Sequence, residues 1–397
     1  MLIRCGHQGC KYYLLIMALA FSSFGRGAGA NWHGFVSQGI IQGQDSNFVN
    51  NDGSTSLQLT EVGLNASIPL TSNLRVAGQL VYLGGGNRYP EGGRLDYLFI
   101  DWQLVSSASW QVDLHFGRYK NYHWLYSATR DVPHTRPSIV LPQSIYFDSF
   151  RDVAVGSDGL ALLASTNNAS GEWDMNWSYG KSEVSRKQMH NLFSDVAKGQ
   201  LEQDFVQQFS LFWRPKMDNS QWGISLLDSD FIYTAGSDDL LANGLVTTQR
   251  LMLSFRYESE HWDLATELMR ERVIFNNIVF SGFSNDEVGE GGYVQSRYFI
   301  NATTTALFRI DLMDTNNKDR NGFQLETREL GRLPSYFAYQ DQVTLGLSWN
   351  FAQNWRVQTE FHRVKGTGRL APVLIPDSQR NQDKYWNIWA LHVMYWF

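Results

Sequence analysis

The chain ends on the stretch WALHVMYWF, residues 389–397, in which every second residue is apolar or aromatic. The residues that share this parity are Trp389, Leu391, Val393, Tyr395 and Phe397. Because successive side chains of a strand point to opposite faces, these five would line one face of a terminal β-strand. The alternative is an ordinary last strand of a soluble sandwich, but such a strand rarely carries so many aromatic rings on one face.

The composition of the whole chain fits a strand that meets lipid. The mean hydropathy is −0.31, yet the chain contains 14 Trp, 18 Tyr and 24 Phe. A membrane β-barrel requires this combination, since its outer face is apolar with aromatic girdles and its inner face contacts water. Beyond residue 30 no apolar run approaches the roughly 18 residues of a transmembrane helix. The sequence therefore favours strands as the elements that cross the membrane.

The N-terminus has the pattern of a secretory signal. Arg4 and Lys11 precede an apolar run at 12–24, and small residues follow at 28–30. We therefore expect residues 1–30 to be a signal peptide that is cleaved before Asn31. A retained helical anchor is the alternative, although the run is short for one.

The mature chain, residues 31–397, shows no composition shift that marks a domain boundary and is expected to be a single barrel domain. Both cysteines, Cys5 and Cys10, would be removed with the signal, so neither a disulfide nor thiol chemistry is predicted. Loss of three basic residues with the signal changes the formal charge from −6 to about −9. An acidic balance argues against nucleic acid as a partner.

Segments of alternating polarity repeat along the mature chain, with connections that are alternately long and short. Barrel strands need about ten such residues, with short periplasmic turns and longer outer loops. We predict an all-β, antiparallel transmembrane barrel of about 16 strands, an even number because both termini would be periplasmic. The predicted strands are 32–42, 57–70, 74–83, 95–105, 110–119, 153–165, 171–181, 205–214, 221–231, 247–258, 262–273, 292–300, 304–314, 342–351, 355–365 and 385–397.

Charged residues on these strands lie opposite the apolar stripe. A charge that faces lipid costs about 2–4 kcal/mol near the midplane, whereas about 16 strands enclose an aqueous channel. We therefore predict that the following residues face the lumen: Arg75, Asp113, Arg256, Asp263, Glu267, Arg309, Asp311, Arg356, Glu360 and His362.

The third outer loop, residues 118–152, is long, charged and stiffened by Pro133, Pro137 and Pro142. Apolar residues between 139 and 147 suit contact with the inner wall, which would let the arginines project across the channel as fixed charges. The residues predicted at this constriction are Lys120, Arg130, Asp131, Arg136, Asp148, Arg151 and Asp152. The alternative is a loop at the rim in which arginines and aspartates only satisfy each other.

Two regions resemble known bacterial barrels. The last strand, with its final Phe397, resembles the C-terminal signature of outer-membrane barrels, which implies recognition by the barrel insertion machinery. The segment 117–155 resembles the corresponding region of phosphate-selective and related anion porins, with Gly-Arg-x-Lys at 117–120 and Arg-Asp-Val at 151–153. This resemblance implies a homotrimeric, 16-stranded outer-membrane channel.

The resemblance is weaker where selectivity would be set. Residues 118–152 contain five basic and three acidic residues, a net charge of about +2, so only a mild anion preference is expected.

The function predicted is passive diffusion of small hydrophilic solutes and ions, without enzymatic activity, cofactor or metal. The partners expected are outer-membrane lipid and lipopolysaccharide. A substrate-specific or purely structural barrel remains an alternative. A hydrolase at the barrel rim, for which His123, His134 and Asp131 are the candidate residues, is a further one.

Overall fold

The computed structural model describes residues 29–151, 156–370, 372–374 and 383–397, and these residues form one closed antiparallel sheet. The signal predicted at 1–30 lies outside the described residues except for its last two positions. The strands are β1 (Asn31–Gln44), β2 (Thr55–Ser56), β3 (Thr60–Pro69), β4 (Leu74–Gly84), β5 (Gly92–Ser106), β6 (Trp110–Lys120), β7 (Gly156–Asn168), β8 (Gly171–Lys181), β9 (Gln200–Pro215), β10 (Ser220–Thr234), β11 (Gly244–Glu258), β12 (Trp262–Asn276), β13 (Ser284–Phe299), β14 (Thr304–Asp314), β15 (Tyr339–Ala352), β16 (Trp355–Lys365) and β17 (Tyr385–Trp396).

The barrel closes between its first and last long strands. β17 pairs with β1 from Phe35↔Trp396 to Gln44↔Asn387, and β1 pairs with β3 on its other side. The two-residue β2 only extends this seam, so the wall consists of sixteen long strands. Closure gives every wall strand two hydrogen-bonded neighbours, which a sheet in lipid requires.

Phe397 completes the seam at the chain terminus. Its N–H donates to the Gly34 carbonyl at 2.9 Å, and the Gly34 N–H donates to the Phe397 carbonyl at 3.1 Å. A Cβ at position 34 would lie 2.5 Å from the Phe397 ring, so a larger residue here would force the ring to move. The terminal strand predicted from its alternation is thus the closing strand of the barrel.

The predicted strands all exist, and the strands at 171–181, 304–314 and 355–365 have the predicted bounds. The largest difference is β13, which begins at Ser284 rather than at residue 292 because its ladder with β12 continues to Asn276↔Ser284. The third loop begins later than predicted. Arg118 and Lys120 belong to β6, whose ladder with β7 extends to Lys120↔Gly156.

The outward face of the wall is apolar. Residues of one parity on successive strands are exposed, for example Trp222, Ile224 and Leu226 on β10 and Phe308, Ile310 and Leu312 on β14. Near the short turns, aromatic rings pair across neighbouring strands, as in Trp173–Trp213 with 5.5 Å between ring centroids and Trp262–Tyr298 with 4.6 Å. An apolar belt with an aromatic girdle is the surface that a bilayer requires.

The short connections, such as 107–109, 169–170 and 259–261, lie at one end of the barrel, which we call the turn end. The long connections, such as 121–155 and 315–338, lie at the other end, which we call the loop end. At the loop end, helix α1 (Arg186–Phe193) begins with a capping box between Ser185 and Gln188. Its apolar face packs into the barrel mouth against Phe231, Val246 and Phe275. A second helix, α2 (Phe323–Arg328), lies between β14 and β15. Within the described part of the chain, no helix has the length and apolar character needed to cross a bilayer.

Candidate functional site

The connection between β6 and β7, residues 121–155, turns into the barrel, and we call it the inner loop; it is described as far as Arg151. It contains two 3-10 segments, Pro133–Thr135 and Asp148–Phe150. Its apolar residues pack against two regions of the wall that are distant from its stem between β6 and β7. Ile139 and Val140 contact a cluster on β1, β16 and β17, whereas Leu141, Ile145 and Tyr146 contact a cluster on β11, β12 and β13. The inner loop therefore crosses the barrel interior.

Glu267 of β12 holds one side of the inner loop. Its carboxylate accepts the Leu125 N–H at 3.0 Å and the Tyr146 hydroxyl at 2.6 Å. Ser254 and Tyr293 on the neighbouring strands donate to the same carboxylate at 3.0 and 2.9 Å. Because a buried carboxylate needs such donors, the wall and the loop satisfy it jointly.

Residues on β14 and β16 hold another part of the loop backbone. The Glu360 carboxylate accepts the N–H groups of Ile139 at 2.6 Å and Val140 at 3.2 Å. The Arg309 guanidinium donates to the Val140 carbonyl at 2.8 Å and to the Ser138 hydroxyl at 2.9 Å. An irregular segment cannot pair its own backbone, so these side chains replace the partners that a sheet would supply.

A set of buried ion pairs joins the inner loop to β3, β5 and β6, and we call it the charge cluster. Its carboxylates and cations are Glu61, Asp96, Asp131, Asp148, Arg88, Lys120, Arg130, Arg136 and Arg151, each no more than 6 % exposed. The ion pairs are Lys120–Asp131 at 2.7 Å, Arg130–Asp148 at 2.8 Å, Arg88–Asp148 at 3.6 Å, Arg151–Glu61 at 3.7 Å, and the close pairs Lys120–Asp96, Arg136–Glu61 and Arg151–Asp131.

These contacts correct the expectation that the loop arginines project freely across the channel. Arg130, Arg136 and Arg151 all donate to carboxylates and carry little exposed area. Burial alone would raise the pKa of Asp131, but the Arg151 guanidinium and the Lys120 ammonium hold it well below its usual range. The cluster contains five basic side chains and four carboxylic acids. Asp152, also predicted at the constriction, lies outside the described residues.

The ten residues predicted to face the lumen fall into three groups. Those that hydrogen-bond to the inner loop are Glu267, Arg309, Asp311, Arg356 and Glu360, with His362 supporting Glu360 at 3.1 Å. Arg256 and Asp263 pair near the turn end, where Arg297 also contacts Asp263. Arg75 pairs with Asp101 of β5, and Asp113 lines a cavity at the turn end.

The inner loop lies between cavities. The loop-end cavity, of about 640 Å³, is bounded by the inner loop, the wall from β9 to β14, and the loops that follow β14 and β16. Two turn-end cavities, of about 560 and 340 Å³, lie near the short turns. Trp124 lines both the loop-end cavity and the smaller turn-end cavity. Its ring lies 5.1 Å from the Arg250 guanidinium, and its centroid lies 5.8 Å from that of Tyr146.

The residues considered for hydrolysis have other partners. Asp131 pairs with Lys120 and Arg151, His123 contacts the Ser178 hydroxyl at 3.1 Å, and His134 stacks on Trp396 at 4.8 Å. Burial lowers the pKa of His123 to about 3. Burial, with Arg356 and Arg136 nearby, lowers the pKa of His134 to about 4. Within the described ranges, no group of three His, Cys, Asp or Glu residues is placed to hold a metal ion.

Sequence reasoning missed several charged residues of the interior. Arg250 and Glu271 share the strand parity of Arg256 and Glu267, so alternation alone could have identified them. Glu61 likewise lies opposite the apolar parity of β3. Arg369, in the loop between β16 and β17, carries no such signal, because its position depends on tertiary contacts.

Comparisons with solved structures identify the fold. The Vibrio cholerae outer-membrane protein OmpT superposes with a TM-score of 0.55 and 12 % identity over 94 % of this chain and 99 % of its own. An anion-selective porin from Comamonas acidovorans gives 0.54 and 11 % over 93 % and 99 %. OmpF of Salmonella typhi, in complex with daunomycin, gives 0.54 and 10 % over 93 % and 97 %. No protein-family model and no curated protein matches the chain. The chain therefore has a porin-like β-barrel fold, which it shares with these outer-membrane proteins.

Proposed function

We propose that this barrel is a passive channel for small hydrophilic solutes and ions, without enzymatic activity, and that the inner loop forms its constriction. The observation that carries the proposal is the position of the inner loop, which crosses the lumen between the loop-end cavity and the turn-end cavities. A solute that passes through must move past Trp124 and the surrounding loop. Fixed charges and apolar constrictions at such a point select what passes.

The charges beside the path support a mild anion preference. The charge cluster has one cation more than it has carboxylates. Lys120, Arg130, Asp131, Arg136, Asp148, Arg151 and Asp152 would together set the field at the constriction. Because most of the cations are paired, the excess positive charge is small and strong selectivity is not expected.

The remaining parts of the proposal concern the environment of the barrel. The apolar belt would contact lipid and lipopolysaccharide, with the long loops extracellular and the short turns periplasmic. Residues 1–30 would direct export, Phe397 would be read by the insertion machinery, and three copies would assemble as in the porins that the sequence resembles.

The test is a planar-bilayer recording of the purified, refolded protein across a potassium chloride gradient. We expect discrete conductance steps and a reversal potential directed toward anions. Replacing Arg130, Arg136 and Arg151 together by Ser should move the reversal potential toward cations, because it leaves the cluster carboxylates in excess. A folded barrel without conductance would overturn the channel, whereas an unchanged ion preference in the variant would overturn the role of the cluster.

A further inference from the structure

The wall of the loop-end cavity is layered in a way that a general water-filled channel does not require. Paired residues Phe231, Val246 and Phe275 on β10, β11 and β12 form an apolar row near the mouth. Four residues further in along β11, Arg250 pairs with Glu271 of β12. Porin interiors are generally polar because they hold water. An apolar row next to a charged pair therefore indicates a binding site with one apolar part and one charged part.

Two guanidiniums and one carboxylate lie at the base of this cavity, and we call Arg250, Glu271 and Arg369 the floor charges. The Arg250 Nε–H donates to the Glu271 carboxylate at 3.0 Å. Both arginines interact electrostatically with Glu271. The floor charges therefore carry one net positive charge.

Aromatic rings of the inner loop lie beside the guanidinium groups of Arg250 and Arg369. Arg250 lies 5.1 Å from the Trp124 ring, and Arg369 lies 4.6 Å from the Phe147 ring. Arg369 donates one Nη2–H to the Ser144 carbonyl at 3.0 Å, but its buried Nε has no hydrogen-bond partner. Stacked guanidiniums lose little entropy when they bind, and their donor pattern matches a carboxylate.

The rest of the lining supplies apolar surface for the body of a ligand. Phe147 and Phe150 pack with 5.6 Å between ring centroids, and Leu192 of α1 lies on the same cavity. Arg328 pairs with Glu287 and Glu329 at 3.9 and 3.3 Å, and Arg332 lines the same cavity, so these four charges balance. A volume of about 640 Å³ lies within the range of small-molecule sites, roughly 300–1,000 Å³.

We infer that the loop-end cavity binds organic acids that combine one carboxylate with an apolar or aromatic body, with Arg250 and Arg369 on the carboxylate and the phenylalanines on the body. This inference rests on the proposed channel function and names the solute class that it would favour. A small, strongly hydrated oxyanion such as phosphate would gain nothing from the apolar walls. A neutral apolar solute would have to desolvate the floor charges without pairing them.

The test is equilibrium dialysis of the refolded barrel in lipid nanodiscs, with empty nanodiscs as the blank. The probes are 3-phenylpropanoate, its neutral amide, acetate and inorganic phosphate. We expect 3-phenylpropanoate to bind about tenfold more tightly than its amide, which lacks the charge-assisted contact. It should also bind more tightly than acetate and phosphate, which lack the apolar body. Equal affinity for the amide, or tighter binding of phosphate, would overturn the inference.

Three variants test whether the floor charges bind the carboxylate of 3-phenylpropanoate. Arg369→Gln should weaken 3-phenylpropanoate binding about tenfold, whereas Glu271→Gln should strengthen it, because both guanidiniums then become available to the ligand. Arg363→Gln, which changes an exposed arginine of β16 paired with Asn387 at 3.0 Å, is the matched control and should bind as the wild type does. Unchanged binding in Arg369→Gln would overturn the assignment.

Circular dichroism, recorded for every variant, shows that each barrel is folded. Potassium chloride conductance then separates the two proposals. A conducting wild type that binds no 3-phenylpropanoate overturns the site and leaves the channel. Binding without conductance supports the site and overturns the channel.

Discussion

The charge cluster and the floor charges use the same chemistry on opposite sides of the inner loop, but they differ in how far their side chains are exposed. In the charge cluster every cation faces a carboxylate, and the residues are no more than 6 % exposed. The floor charges border the loop-end cavity, with Arg250 and Glu271 side chains 16 % and 14 % exposed. Fully buried ion pairs fix the position of a segment, whereas charges that border a cavity can contact a ligand.

This difference changes the role that we assign to the arginines of the inner loop. From sequence, Arg130, Arg136 and Arg151 were the residues expected to meet solute. In the structure all three pair with carboxylates and attach the inner loop to the wall, and of the three Arg130 also lines the loop-end cavity, beside arginines on β11 and in the loop after β16. The following predictions test this division between anchoring and binding charges.

The largest expected effect comes from removing one anchor of the charge cluster. Glu61→Gln would leave the buried Arg136 guanidinium without its carboxylate, at a cost of about 3 kcal/mol to docking of the inner loop. The loop should then be cut by protease about 100-fold faster in the folded barrel, because cleavage follows the open population. Limited proteolysis with mass mapping of the cuts measures this rate.

The matched control is an exposed pair of similar geometry. Arg118 and Asp158 join β6 to β7 with contacts of 2.8 and 2.7 Å, but their side chains are 33 % and 50 % exposed. Asp158→Asn should cost no more than about 1 kcal/mol. Similar cleavage rates in Glu61→Gln and Asp158→Asn would mean that the charge cluster does not anchor the loop.

The second prediction concerns the indole ring of Trp124, which lies between the loop-end cavity and the smaller turn-end cavity. Trp124→Ala removes the side chain that lines both the loop-end cavity and a turn-end cavity. Single-channel conductance should rise by a factor of about two, with little change in ion preference because no charge is lost. Trp349→Ala, which removes an indole 51 % exposed on the outer face, should leave conductance unchanged.

The third prediction compares a balanced with an unbalanced loss of charge. The double variant Glu61→Gln with Arg136→Gln removes one charge of each sign, so the reversal potential should stay at the wild-type value. Arg369→Gln removes one cation from an accessible site and should lower the anion-to-cation permeability ratio by a factor of about two. Equal shifts in both variants would contradict the division between anchoring and binding charges.

The sequence predicted the wall well because alternation is a local signal. Each strand carries its own polar and apolar parity, and the alternation of Trp389 to Phe397 indicated a final strand before any partner was known. The same parity marks Arg250, Glu271 and Glu61 as interior, although only the structure shows which cavity or partner each one meets.

The inner loop could not be predicted in the same detail. Its charges are visible in the sequence, but their partners are up to 90 residues away, as for Arg151 and Glu61. Whether an arginine anchors a segment or faces a cavity depends on such long-range contacts. Prolines and apolar residues indicated a stiff loop with a surface to bury, and the contacts of Ile139 and Ile145 show which walls bury it.

The smallest expected effect is a pH dependence of loop docking through His134. Its pKa is about 4 in the docked loop, below the usual value of 6.5, so the docked state favours the neutral imidazole. This contribution is complete above about pH 6.5 and declines as the pH falls toward 4, since only the undocked loop then gains the proton. Cleavage of the inner loop should therefore rise as the pH falls from 7 to 4.5. His134→Gln should reduce that rise, and His123, whose pKa of about 3 acts in the same direction, should contribute to what remains. If the wild type and His134→Gln respond identically to acid, the imidazole beside Trp396 does not contribute to docking.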